Sequence, residues 1–232
     1  MRDLDCRDMT GYLECLASSD QIREACIRRM AVPISRFMRD RPLWDALKVG
    51  WLPELYHRFG PRLHAWSAGC ACGEEAYSLL ITARETGARA MQMHITATDL
   101  NSTCLTKARA GIYPASSFRE MPADLRSRFF ISMRGGRRFR VHPDLLEDIT
   151  WRQRQTESPW PGPVYGLVLL RNSVLTYYET RRQIRVLATV IESLHPGGLL
   201  AIGSRERLPP GLPEMVPVSA AYPYVFRKVS GG

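Results

Sequence analysis

"LHAWSAGCACGEEAYSLLITARETG", residues 63–87, and "MQMHITATDLNSTCLTKARAG", residues 91–111, decide the fold. Each opens with a short apolar run of the kind that makes a buried strand, then passes through a turn into a segment with helical spacing. The first helix is expected to stop at Gly87. The second is expected to take Asn101 as its N-cap and Gly111 as its end, where glycine tolerates the left-handed conformation of a helix terminus. Strand, helix, strand, helix in that order predicts a parallel sheet with helices on both faces.

Working outward, "DITWRQ" (148–153) reads as a third strand and "YGLVLLRN" (165–172) as a fourth. "YETRRQIRVLATVIESLHPGG" (178–198) reads as a helix with a Gly-Gly stop, "LLAIGS" (199–204) as a fifth strand and "AYPYVFRKV" (221–229) as a last strand with aromatic alternation. Upstream, Tyr12, Leu13 and Leu16, then Ile22, Cys26 and Met30, recur at helical spacing and fit two short helices broken at "SSD". Pro33 interrupts them, and Leu43, Trp44, Leu47 and Leu55 resume the pattern until Gly60-Pro61 closes it. The expected organisation is a short helical region and connector over 1–60, and an α/β domain over 61–232 with an insertion at about 112–148.

Composition limits the classes of function. A chain of 232 residues with 45% hydrophobic content can bury a full core. It holds no run of about 18 apolar residues, and its N-terminus mixes acids with bases, so a cytoplasmic protein without membrane insertion is expected. The six cysteines are scattered, and Cys70 and Cys72 stand one residue apart, closer than zinc-binding spacing. Free thiols packed as small residues are expected. His57, His64, His94, His142 and His195 are not clustered as metal ligands.

The formal charge of +9 is concentrated in an arginine-rich stretch. Between 119 and 140, seven arginines (Arg119, Arg126, Arg128, Arg134, Arg137, Arg138, Arg140) face only Glu120 and Asp124. Such a surface suits a partner carrying negative charge, or is the solvated face of an arginine-rich protein.

In open α/β sheets, ligands sit at the carboxyl ends of the strands. The first turn there is "SAGCACG" (67–73), whose glycines let backbone approach a ligand closely. It is neither G-x-G-x-x-G nor a G-K-[ST] loop, so triphosphate hydrolysis has no support. Glu74 and Glu75 just after it would repel a pyrophosphate. Asp99, at the end of the second strand, stands where an acid accepts hydrogen bonds from ribose hydroxyls. A nucleoside with a cationic amino-acid tail meets both demands, and S-adenosyl-L-methionine has that description.

Several ordered motifs now carry a family resemblance. "ISRFMRD" (34–40), "WSAGCACGEEAYSLL" (66–80), "TATDLN" (96–101), "KARAGIYP" (107–114), "LLRNSVLTYYE" (169–179) and "LHPGGLLAIGSRE" (194–206) resemble the CheR-type protein-glutamate O-methyltransferases of bacterial chemotaxis. The likeness covers roughly residues 12 to 228. It implies a Rossmann-like class I methyltransferase sheet with helices on both faces, a helical N-terminal region and a small inserted β subdomain. It implies S-adenosyl-L-methionine as cofactor, with S-adenosyl-L-homocysteine as product, and methyl transfer to a carboxylate, that of a protein glutamate by the family resemblance.

By the same resemblance, Ser35 and Arg39 stand at cofactor-contacting positions on the connector, Glu75 matches the cofactor-binding glutamate and Asp99 the ribose-binding aspartate. Gly69 belongs to the cofactor turn. Arg171 and Asn172 match the segment beside cofactor and acceptor, and Tyr177 the active-site tyrosine. Glu74 is left as a helix-start acid favoured by the dipole. Transfer from a sulfonium to a carboxylate needs alignment and water exclusion rather than a strong base, and positioning can supply about 7–11 kcal/mol. Arg171 is expected to orient the acceptor with a forked pair of hydrogen bonds, and Tyr177 to fix acceptor or donor.

The sequence departs from the family in places. Pro33 replaces an asparagine, "GSRE" replaces G-H-S-E, and "RQRQTES" (152–158) lacks the usual asparagine-leucine pair, leaving Gln155 and Thr156 as the nearest adenine contacts. Trp151 lies near that adenine end. The segment before "ISRFMRD" is shorter than the family's receptor-facing helical domain, and the residues that choose the acceptor are expected in that shortened segment and in the insertion. There "FFISMRGGRRFRVHP" (129–143) fits a hairpin around Gly135-Gly136, whose arginines suit an acidic protein segment or receptor-like partner. A small-molecule or peptide acid as acceptor, and a silent cofactor-binding signalling module, are the alternatives. Nucleic acid as substrate is disfavoured, since no N-P-P-Y-like motif follows the fourth strand.

Overall fold

The computed structural model describes residues 8–19, 22, 35–87, 92–158 and 162–229. Pro33 and the second of the two N-terminal helices, apart from Ile22, lie outside them. The chain divides into two compact units, Met1–Ile34 and Ser35–Gly232. The division therefore falls at residue 34 rather than 60, because the helices over 41–59 bury Leu43, Trp44, Leu47, Leu52, Leu55 and Tyr56 in the core of the larger unit. In the smaller unit, α1 (Met9–Ser18) is capped by Asp8, whose side chain accepts from the Gly11 N–H at 2.8 Å.

The larger unit begins with α2 (Arg41–Ala46), a π-helical turn (Leu47–Trp51) and α3 (Leu52–Phe59). Then come β1 (Arg62–Ala68), α4 (Glu74–Arg84), β2 (Gln92–Asp99) and α5 (Ser102–Ala110). The Asn101 side chain accepts from the Cys104 N–H at 3.1 Å, and Gly111 ends α5 at φ 61°. The insertion follows as β3 (Ile112–Pro114), α6 (Ala123–Phe129), β4 (Phe130–Met133) and β5 (Arg138–Val141). The chain closes with β6 (Ile149–Gln153), β7 (Tyr165–Leu170), α7 (Val174–Tyr177), α8 (Thr180–Glu192), β8 (Leu194–Ile202), β9 (Met215–Pro217) and β10 (Val225–Lys228).

The main sheet has seven strands in the order β6-β2-β1-β7-β8-β10-β9. β6, β2, β1, β7 and β8 are parallel, and β10 turns antiparallel to β8. The chain moves outward from β1 through β2 to β6, then crosses back to β7 on the other side of β1. That reversal makes the carboxyl ends of β1 and β7 the topological switch point, where such sheets bind ligands. Successive residues feed opposite faces. Leu167 and Leu169 join the core with α4, while Val168 and Leu170 join Val186, Leu187, Val190 and Ile191 of α8. Burial on both faces explains why β7 reads as a continuous apolar run.

Three expectations about element bounds change. The helix expected to stop at Gly87 ends at Arg84. The helix expected to reach Gly198 ends at Glu192, and residues 194–198 belong to β8. Pro196 has no N–H for a helical bond, and the register slips between Tyr165↔Leu194 and Leu167↔Leu199, so His195 to Gly198 bulge out within the strand. The last strand covers only Val225–Lys228. Tyr222 and Tyr224 sit in the turn before it, where the Val225 N–H donates to the Tyr222 carbonyl and Tyr222 meets Trp51 edge-on.

The insertion is a second sheet, β3-β5-β4, antiparallel throughout, with the β4–β5 hairpin turning through Gly135 and Gly136. β5 alternates: Phe139 and Val141 point inward, Arg138 and Arg140 outward. Its aromatic core receives one ring from far upstream. Phe37 stacks on Phe118 with centroids 4.7 Å apart and meets Phe130 and Tyr113 edge-on at 4.9 and 4.8 Å.

Candidate active site

The turn between β1 and α4 takes left-handed backbone at Gly69 (φ 78°), Ala71 (φ 48°) and Gly73 (φ 95°). Gly73 is required twice over. Its φ suits glycine, and a Cβ there would come within 2.8 Å of both Ala108 and Trp151. The turn is tied to the end of β2: the Gly69 and Cys70 N–H groups donate to the Thr98 carbonyl, and the Ala71 N–H donates to Asp99 Oδ2 at 2.8 Å. Asp99 Oδ1 accepts from the Asn101 N–H at 2.8 Å. Burial raises the Asp99 pKa, and these backbone donors oppose that rise. Each carboxylate oxygen keeps a further lone pair for a ligand hydroxyl. The loop after β6 lies alongside, with the Arg154 N–H donating to the Asp99 carbonyl at 3.2 Å; Gln155 and Thr156, both partly buried, follow in that loop.

At the switch point, Glu75 turns to the sheet and Glu74 to the insertion. Glu75 Oε1 accepts from Ser67 Oγ at 2.7 Å, and its Oε2 accepts from Arg171 Nη1 at 3.2 Å. Arg171 Nη2 donates to Asp40 Oδ2 at 2.6 Å and to the Arg39 carbonyl at 3.1 Å, while its carbon Cζ lies 5.5 Å from the Trp44 ring centroid. Asp40, in left-handed backbone at φ 60°, also receives Ser204 Oγ at 3.3 Å on Oδ1, and its N–H donates to Glu120. Burial pushes the Glu75 pKa up, and the Arg171 charge pulls against it.

The forked pair expected between Arg171 and an acceptor is therefore made inside the protein, to Asp40 and Glu75. With only 5% of its surface exposed, Arg171 braces the connector, α4 and the end of β7 rather than facing an incoming carboxylate. Ser35 likewise lies beside the Glu74 carboxyl and helps to hold its pKa down, and that carboxyl accepts from Ser117 Oγ at 3.3 Å. Arg39 joins the network through its carbonyl, which accepts from Trp44 Nε1 at 2.7 Å as well as from Arg171. Asn172 stands next at φ 51°, and Tyr177, at the end of α7, is 56% exposed and thus open to a substrate from solvent.

Sequence reading missed Asp40 and Glu206. Glu206 is buried and accepts from the N–H groups of Asn172 at 3.0 Å and Gly203 at 2.7 Å. The available signal was an acid directly after "ISRFMR" and another ending "GSRE", each inside a motif already singled out. Among the described residues no group of three or more His, Cys, Asp or Glu side chains could hold a metal ion. Cys70, Cys72 and Cys104 are free and buried, with Cys72 Sγ 3.1 Å from Cys104 Sγ and its pKa pushed by burial to about 12.

The residues fit a cofactor with ribose hydroxyls and an amino-acid tail, whose carboxylate can take unpaired donors. Asp99 borders the bare turn, Arg171 Nε and Ser173 Oγ are buried without a hydrogen-bond partner, and Gly69 lies so near Ser173 that a Cβ would approach its Oγ to 3.1 Å. Sheet order, turn and strand-end acid together define an α/β domain that binds a nucleoside-type cofactor at its switch point. Residues 34–225 match the family model described as CheR methyltransferase, SAM binding domain. The chain belongs to that family of S-adenosylmethionine-dependent methyltransferases.

Among its relatives is the chemotaxis protein methyltransferase of Listeria monocytogenes, 31% identical over 183 residues, which cover 78% of this chain and 68% of the relative. An uncharacterized 104.1 kDa protein of Rhodobacter capsulatus is 31% identical over 207 residues, covering 87% of this chain; the match spans only 21% of that protein's length. Among solved structures, the S-adenosylmethionine-bound amino pentose methyltransferase CalS10 of Micromonospora echinaspora aligns at 13% identity with a TM-score of 0.42, covering 79% of this chain and 56% of that one.

Proposed function

We propose that the protein transfers a methyl group from S-adenosylmethionine to a carboxylate on an acidic protein segment, in the cytoplasm. The observation that carries this reading is the joined site at the switch point: the Asp99 carboxylate on the bare turn, beside the Glu75–Arg171–Asp40 network, in a chain of this family. When bound, the cofactor supplies an electrophilic methyl group on a sulfonium. Asp99 would accept the ribose hydroxyls, and Glu75, held by Ser67 and Arg171, would accept from the ammonium group. Gln155 and Thr156 follow Arg154 in the loop beside Asp99 and would border the adenine.

Arg171 acts as a positioning residue, fixing the orientation of Glu75 and the course of the connector at Arg39 and Asp40. Tyr177 and Asn172 border the open side, where the acceptor would be aligned. A carboxylate is ionised near neutral pH, so no residue need remove a proton from it. The chain's task is alignment and exclusion of water.

The outward arginines of the insertion, Arg134, Arg137, Arg138 and Arg140, are exposed and would draw in an acidic partner. Among the described residues no helix is long and apolar enough to cross a membrane. The test is calorimetric titration with S-adenosylmethionine and S-adenosylhomocysteine, followed by transfer of labelled methyl to poly-L-glutamate. Asp99→Ala is expected to weaken binding at least ~10-fold, the loss of a charge-assisted pair of hydrogen bonds. Unchanged binding in that variant would remove Asp99 from the cofactor site.

A further inference from the structure

The carboxylate of Glu206 gathers three donors that belong to the loops around the site. Its Oε2 accepts the N–H groups of Asn172 and Gly203, and its Oε1 accepts the Thr176 hydroxyl. The Glu206 N–H in turn donates to the Gly203 carbonyl at 2.8 Å, so the side chain folds back over the turn that ends β8. No ion pair engages it among the described residues. Hydrogen bonds to a buried ionised acceptor are among the stronger fixed contacts a protein makes.

What Glu206 holds matters more than how firmly. Asn172 sits at φ 51°, a region that residues other than glycine adopt uncommonly, asparagine more readily than most, and that fixed contacts around it help to hold. Thr176 precedes Tyr177 in α7, which has four residues and is too short to be stable alone. A Cβ built on Gly203 would lie 2.7 Å from Glu206 Oε2 and 3.0 Å from Asn172 Oδ1, so the Asn172 carboxamide packs against the same turn.

We infer that Glu206 is a positioning residue for methyl transfer: its carboxylate holds Asn172 in the left-handed conformation and anchors α7, presenting Asn172 and Tyr177 to donor and acceptor in one arrangement. This rests on the reading under the preceding heading. It differs from a purely structural role in acting through residue 172.

The experiment is calorimetric titration of the full chain with S-adenosylhomocysteine, with thermal melting in parallel, for the unmodified protein, Glu206→Gln, Asn172→Gly and the double variant. Glutamine keeps the volume but loses one carboxylate acceptor and the charge. Glu206→Gln is expected to weaken binding about 10-fold, and the double variant to bind as Asn172→Gly does, because glycine takes the left-handed conformation unaided.

A roughly 10-fold loss in both backgrounds, or no loss in either, overturns the inference. If Glu206→Gln does not fold, Thr176→Val, which removes only the Oε1 donor, is read in the same two backgrounds, with about a 3-fold loss expected in the first and none in the second. Failure of the unmodified protein to bind S-adenosylhomocysteine or S-adenosylmethionine is a separate result. It sinks the cofactor reading itself, and this inference with it.

Discussion

Glu74 and Glu75 are neighbours in sequence that face different parts of the molecule. Glu75 is held by Ser67 and Arg171, while Glu74 is buried against Ser35 and Ser117 with its Oε2 lacking a partner. Burial raises the Glu74 pKa, opposed by its own backbone N–H, by Ser117 and Ser35, and by the charge of Lys107. A carboxyl whose folded pKa lies above its unfolded value stabilises the fold below the unfolded value, and that contribution is lost as pH rises through the folded pKa. Glu74→Gln is therefore expected to become more stable relative to the unmodified protein as pH rises from about 4 to 8. Urea midpoints across that range check it; a constant difference would mean that Glu74 titrates alike in the folded and the unfolded chain.

The residue scale is also where sequence reading reached its limit. Glu75 and Asp99 follow a turn and end a strand, so local order exposed them. Asp40 and Glu206 reach partners 131 and 34 residues away, and the motifs that contain these acids do not announce those distant contacts. Arg171 was visible as a motif residue, but its two internal carboxylates were not, and they change what it does.

At the scale of elements, periodicity served well wherever one pattern held throughout. β1, β2 and α5 fall where apolar runs and caps put them, including Asn101 and Gly111, whereas α4 stops at Arg84, short of the expected Gly87. "HPGG" looked like a helix stop because strand register is not written locally; only pairing with β7 shows it to be a bulge. The insertion's hairpin was legible from its glycines, whereas its core was not, since Phe37 comes from the connector. Phe37 is fully buried among Tyr113, Phe118 and Phe130. Phe37→Ala is expected to cost about 3–5 kcal/mol, measured by urea denaturation. A cost below ~1 kcal/mol would show that the insertion packs without it.

For the whole molecule, the +9 charge becomes a located feature. β5 turns Arg138 and Arg140 outward on one face, and Arg134 and Arg137 flank the hairpin turn. Replacing these four by serine is expected to weaken poly-L-glutamate binding about 10-fold and to flatten its dependence on salt. Fluorescence titration at several ionic strengths reads both. Equal affinity and an equal slope would mark the arginines as solvated surface.

The seating of Phe37 also has a consequence for how the chain comes to be made. Synthesis runs from the N-terminus, so this ring, and Asp40, whose partner Glu120 lies 80 residues later, leave the ribosome well before the residues that receive them. Until then the connector carries an exposed aromatic side chain with nowhere to go. Long-range closures of this kind slow folding, and the connector, with the network it supports, is due to become ordered only after the insertion has emerged.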